Sequence, residues 1–119
     1  MKIAVIEDEK PIREGLVHIL SKISPEYQVV GSAENGTEGL VLLEEEMPDL
    51  IMLDIQMPDM DGLQMLKEAR ARGIYTKVII LTAYSDFNYA KKTIELGIEN
   101  YLLKPVNLTE LRETLEKIK

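Results

Sequence analysis

Five short apolar runs recur along the chain, at Ile3 to Ile6, Tyr27 to Val30, Leu50 to Leu53, Val78 to Leu81 and Tyr101 to Leu103, and most are continuously apolar, not alternating. A strand that is apolar on both sides needs cover on both faces, which is the situation of a parallel sheet flanked by helices. The segments between the runs carry helical periodicity. Residues 11 to 24 set Ile12, Leu16, Ile19, Leu20 and Ile23 on one stripe, and 107 to 118 do the same with Leu108, Leu111, Leu115 and Ile118. Pro11 suits a first helical turn, and Asn35 with Glu38 and Asn107 with Glu110 read as caps with an acid three positions on. Glycines and the pairs Ser24-Pro25 and Met47-Pro48 punctuate the elements. Five strands alternating with five helices in 119 residues predict one α/β domain over 1–119, a three-layer doubly wound fold around a five-stranded parallel sheet.

Parallel strands end on one edge, so the residue that stops each run belongs to a common surface. Glu7 and Asp8 follow the first run, Asp54 the third, Thr82 the fourth and Lys104 the fifth. In open α/β sheets this carboxyl edge is where ligands bind. If the first and third strands are neighbours, Glu7, Asp8 and Asp54 crowd into one crevice. Three carboxylates there repel, and either a proton or a divalent cation relieves them. The ligands are all oxygen, which favours Mg²⁺, with Mn²⁺ as the alternative, over zinc. Asp54 is then placed to act as a nucleophile toward a phosphoryl donor, with Lys104 and the Thr82 hydroxyl on the phosphoryl oxygens.

Other classes are disfavoured. The formal net charge of -7 repels a phosphate backbone, so direct nucleic-acid binding by this domain is not expected. There is no cysteine for disulfides or thiolate metal sites. No apolar run approaches a membrane span, and the first acids come too early for a secretory signal.

VIEDE at the first strand end, LDIQMPDMDGL around Asp54, LTA at 81 to 83 and YLLKP at 101 to 105 together make the chain resemble the receiver domains of bacterial two-component response regulators over essentially its whole length. The resemblance implies a flavodoxin-like sheet of order 2-1-3-4-5. It implies Asp54 as phosphoacceptor from a sensor histidine kinase, and a Mg²⁺ site from Glu7, Asp8, Asp54 and the backbone carbonyl of Gln56, with Glu7 acting through water. Thr82 and Lys104 would contact the phosphoryl group, and Thr82 with Tyr101 would form the switch. A cis Lys104-Pro105 bond, a cytoplasmic location and a signalling role instead of an enzymatic one come with it. The stretch LTAYSDFNYAKKTIELGIENYLLKPV further resembles receivers joined to AraC-type helix-turn-helix domains, so transcription is the implied output, through a DNA-binding domain not found within 1–119.

The switch the resemblance implies would reshape the face built by a helix at about 86 to 97, the fifth strand and the helix at 107 to 118. The mixed charge there, Lys91, Lys92 and Arg112 against Glu95, Glu110 and Glu113, would permit a self-complementary homodimer promoted by phosphorylation. Two other functions share parts of this pattern. A Mg²⁺-dependent phosphatase working through an aspartyl phosphate would want an acid where Gln56 stands. A flavin module would meet the acidic stretch EDEKP at its phosphate loop. Simpler roles are expected for Asp59 or Asp61 as a helix cap, for His18 and the EEE at 44 to 46 as solvated groups, and for the methionines as core and loop fillers.

Overall fold

The computed structural model describes residues 1–83, 91 and 96–118. In chain order the elements are β1 (Lys2–Ile6), α1 (Lys10–Ile23), β2 (Gln28–Ala33), α2 (Gly36–Glu46), β3 (Leu50–Asp54), α3 (Gly62–Ala71), β4 (Lys77–Thr82), β5 (Asn100–Leu103) and a C-terminal helix, α4 (Leu108–Ile118). The helix expected at about 86 to 97 falls mostly outside the described residues, as do Lys92 and Glu95 of the expected charged face. The strands form one parallel sheet in the order β2-β1-β3-β4-β5. This is the doubly wound, flavodoxin-like arrangement.

The continuous apolar runs are explained by the two-residue period of a strand. Ala4, Ile6, Ile51, Leu53, Val78 and Ile80 point to one face, where α2 and α3 cover them with Leu40, Leu43, Leu63 and Leu66. Ile3, Val5, Leu50, Met52, Ile79 and Leu81 point to the other, under Leu16 and Leu20 of α1 and Leu111 and Leu115 of α4. Both sides of β1, β3 and β4 are therefore buried. β2 is an edge strand and only half-buried. It begins one residue later than its apolar run and continues through Gly31, Ser32 and Ala33, because pairing with Ala4, Val5 and Ile6 goes on after the apolar residues stop.

Local signals predicted most helix ends. Asn35 accepts from the Glu38 N–H at 2.8 Å, and Asn107 from the Glu110 N–H at 3.1 Å. Asp61, not Asp59, caps α3, in a reciprocal capping box with Gln64, while Asp59 sits at φ 65 in the preceding turn. Leu108 departs from expectation. It is 46% exposed, because it is the first residue of α4, one turn before the stripe of Leu111, Thr114, Leu115 and Ile118 that meets the sheet. His18, Glu44 and Glu45 are exposed as expected, whereas Met52 and Met65 are fully buried.

Candidate functional site

Register brings the strand ends together. Ile6 pairs with Leu53, so the next residues out, Glu7 and Asp54, leave the sheet side by side. Asp54 pairs with Leu81, which puts Thr82 one step beyond it, and Thr82 pairs with Leu103, which does the same for Lys104. One carboxylate oxygen from each of Glu7, Asp8 and Asp54 lies within 4.8 Å of the others. Glu7 and Asp54 are buried, Asp8 is half-buried. The Lys104 ammonium reaches between two of them, 2.7 Å from Glu7 Oε1 and 3.1 Å from Asp54 Oδ1. The Lys104–Pro105 peptide is cis.

The remaining predicted residues surround this cluster. The Gln56 N–H donates to Asp54 Oδ1 at 3.4 Å. Thr82 is fully buried, and its hydroxyl donates to the Ala83 carbonyl at 3.1 Å. Tyr101, half-buried on β5, lines one cavity with Thr82, Lys104 and Glu110.

The charges are strained against one another. Burial pushes the Asp54 carboxyl up to about 8, and the adjacent Glu7 and Asp8 add to that while Lys104 opposes it. For Asp8 burial acts upward too, but hydrogen bonding to Glu7 and Asp54 and the charge of Lys104 hold it below its ordinary value. Burial would lower the Lys104 ammonium, and its contacts with Glu7 and Asp54 outweigh that and raise it. Asp54 is thus the carboxyl of the trio whose charge burial and its neighbours disfavour most. All donors are oxygen, so the set suits a hard divalent cation that would neutralise the crowded carboxylates.

The sign of the pH effect follows. A carboxyl raised in the folded state binds its proton more tightly there than in the unfolded chain, so its stabilisation is full below about 3.8 and is lost as pH climbs toward about 8. The shifts of Asp8 and Lys104 act below and above that interval. Urea midpoints of the metal-free protein should therefore fall between pH 5 and 8 by the equivalent of about 1–3 kcal/mol, and Asp54→Asn, neutral at every pH, should flatten the slope. A wild-type midpoint that rises over this range would contradict it.

Two residues that periodicity and strand-end reasoning passed over hold the site's backbone. Gly62 donates its N–H to the Ile55 carbonyl at 2.9 Å, packing the start of α3 onto the end of β3. Arg13 of α1 turns its guanidinium back onto the carbonyls of Glu7 and Asp8. The Asp-Gly pair at 61 and 62 was a signal for the first; no sequence pattern marked the second.

The family model of the response regulator receiver domain matches residues 3–116. The chain belongs to that family. It is 33% identical over 117 residues to the transcriptional regulatory protein YesN of Bacillus subtilis, covering 98% of this chain and 32% of that protein. It is 36% identical over 115 residues to the transcriptional regulatory protein YdfI of the same organism, covering 97% and 53%. Among solved structures, the receiver domain of the response regulator AraT from Geobacillus stearothermophilus superposes with a TM-score of 0.89 at 36% identity, covering 98% of this chain and 91% of that one. The N-terminal domain of WS1339 from Wolinella succinogenes gives 0.87 at 41%, covering 98% and 92%. The receiver domain spans about a third to a half of the length of these curated relatives. No helix among the described residues is long and apolar enough to cross a membrane.

Proposed function

We propose that this receiver domain takes a phosphoryl group onto Asp54 from the phosphohistidine of a sensor histidine kinase. The observation that carries the reading is the convergence of Glu7, Asp8 and Asp54 around the Lys104 ammonium at adjoining strand ends. Asp8 and Asp54 would hold Mg²⁺ directly together with the Gln56 backbone carbonyl, and Glu7 through water. When bound, Mg²⁺ supplies positive charge against the carboxylates and the incoming phosphoryl oxygens. A carboxylate oxygen of Asp54 forms the bond to phosphorus as the phosphorus–nitrogen bond breaks, its electron pair leaving with the imidazole. The product is an acyl phosphate on Asp54 and a free histidine. Lys104 is in place to follow the transferred charge, since its ammonium already contacts Asp54.

The output reading starts at Thr82. Its hydroxyl exchanges the Ala83 carbonyl for a phosphoryl oxygen, a stronger charge-assisted partner, and Tyr101 moves in the cavity the two residues share. That rearranges the face of β5 and α4, where Leu103 and Leu108 are exposed beside Glu110, Arg112 and Glu113. We assign a phosphorylation-dependent homodimer contact to this face; a beryllofluoride-bound protein that sediments only as monomer would sink it. The domain is read as a cytoplasmic switch, not an enzyme with its own turnover, controlling transcription through an AraC-type DNA-binding domain. Gln56 at the position where the phosphatase alternative needs an acid weighs against that alternative.

The test is intact mass after incubation with acetyl phosphate. One phosphoryl increment is expected with Mg²⁺ and none after chelation. Labelling that persists undiminished in chelator would remove the metal from the reading.

A further inference from the structure

The turn between β1 and α1 carries two of the three acids, and its own side-chain bond is a long one, the Glu9 N–H donating to Glu7 Oε2 at 3.3 Å. The N-cap position of α1, Glu9, makes no side-chain capping bond, and the first turn of the helix contains no acidic residue. Pairing with β2 continues as far as the Glu7 N–H, which donates to the Ala33 carbonyl at 3.0 Å. The carbonyls of Glu7 and Asp8 lie past that point. Arg13 meets them: its backbone N–H closes the first helical turn on the Glu9 carbonyl at 2.9 Å, and its Nη1 donates to Glu7 O at 2.9 Å and to Asp8 O at 3.4 Å. The side chain is half-buried along α1. Both bonds come from one guanidinium nitrogen, whose N–H directions are fixed by the planar group, whereas the ammonium of a lysine rotates freely on its stem.

We infer that Arg13 is a positioning residue for the metal site: by holding the two peptide groups that bear Glu7 and Asp8, it sets the direction of their carboxylates and so strengthens cation binding without touching the cation. The inference rests on the metal site proposed above. It opposes simple electrostatics in sign. Arg13 is a positive charge beside a cation site, so Coulomb's law alone says that removing it tightens Mg²⁺ binding. Positioning says that removing it weakens binding, by about tenfold if it behaves as other groups that orient metal ligands do.

The experiment is Mn²⁺ binding followed by the electron paramagnetic resonance signal of free Mn²⁺, with Mg²⁺ competing, on wild type, Arg13→Met, Arg13→Lys and Lys10→Met. Lys10 is an exposed lysine on the same helical turn that pairs with Glu14 at 3.9 Å, so Lys10→Met is the charge-loss control. About tenfold weaker binding is expected in Arg13→Met, with partial recovery in Arg13→Lys and none of the loss in Lys10→Met. Affinity in Arg13→Met equal to or tighter than wild type would overturn the inference while leaving the metal site standing. Absence of Mn²⁺ binding by wild type would overturn the metal site, and the inference with it. Should urea denaturation show Arg13→Met unfolded, Arg13→Lys decides alone. It preserves the charge, so electrostatics predicts no change and positioning predicts a loss.

Discussion

Asp54→Asn should take up no phosphoryl group from acetyl phosphate in Mg²⁺, a loss of at least about a hundredfold against wild type, on the scale of losing a nucleophile outright. An amide of nearly the same shape still fits the buried strand end and still accepts from the Gln56 N–H, but its oxygen is a poor nucleophile and it brings no charge to a metal. The variant should fold, because the amide fills the same buried strand end and places no charge beside Glu7 and Asp8, where burial already disfavours the Asp54 carboxylate. Loss of labelling with an intact urea transition would therefore report chemistry and not collapse. Intact mass reads both species directly, and undiminished labelling of the variant would take Asp54 out of the role.

Gly62→Ala should be among the most damaging single-methyl changes in the molecule, and it acts on the same strand end from the outside. A Cβ at Gly62 would sit 2.3 Å from the Asp54 carbonyl oxygen, 2.9 Å from Ile55 Cα and 3.1 Å from the Asp54 carbonyl carbon. All three are backbone atoms of the β3 terminus, so no side chain can rotate away. Either α3 lifts from the sheet, breaking the Gly62 N–H to Ile55 bond, or the peptide carrying Asp54 shifts. Overpacking of this kind costs about 3 kcal/mol, which for a domain of this size lowers the melting midpoint by on the order of 10 °C. The labelling rate of the folded fraction should fall as well if Asp54 is the nucleophile proposed above, since its peptide is displaced. Gly15→Ala is the control, because a Cβ there meets nothing within 4 Å and the residue lies inside α1. It should be neutral or stabilising by about 0.5–1 kcal/mol. A Gly62→Ala midpoint within error of wild type would show that the contact relaxes freely.

Caps were legible because they are local. Asn35 and Glu38, or Asn107 and Glu110, are three residues apart and meet whatever the rest of the chain does. The choice between Asp59 and Asp61 was not legible, since both are aspartates before a helix. It is decided by the docking of Gly62 on β3, which fixes where α3 starts and leaves Asp59 in the turn. Leu108 misled for a related reason: periodicity identifies a stripe but not the point at which a helix first reaches the sheet.

By itself the sequence determined that the chain alternates buried strands with amphipathic helices, and that acids, a threonine and a lysine stand where strands stop. Both follow from short-range pattern, the two-residue period of strands and the 3.6-residue period of helices. Which of those ends touch was decided only by the tertiary structure. Glu7 and Asp54 adjoin because β1 pairs with β3 at Ile6 and Leu53, and Lys104 reaches them because β5 pairs with β4 at Leu103 and Thr82. Strand order and register are long-range choices, set by which faces the helices can cover together. Arg13 belongs to the same category. Its sequence position makes it one more charged residue on a helix, and only the fold returns its guanidinium to the turn that carries Glu7 and Asp8.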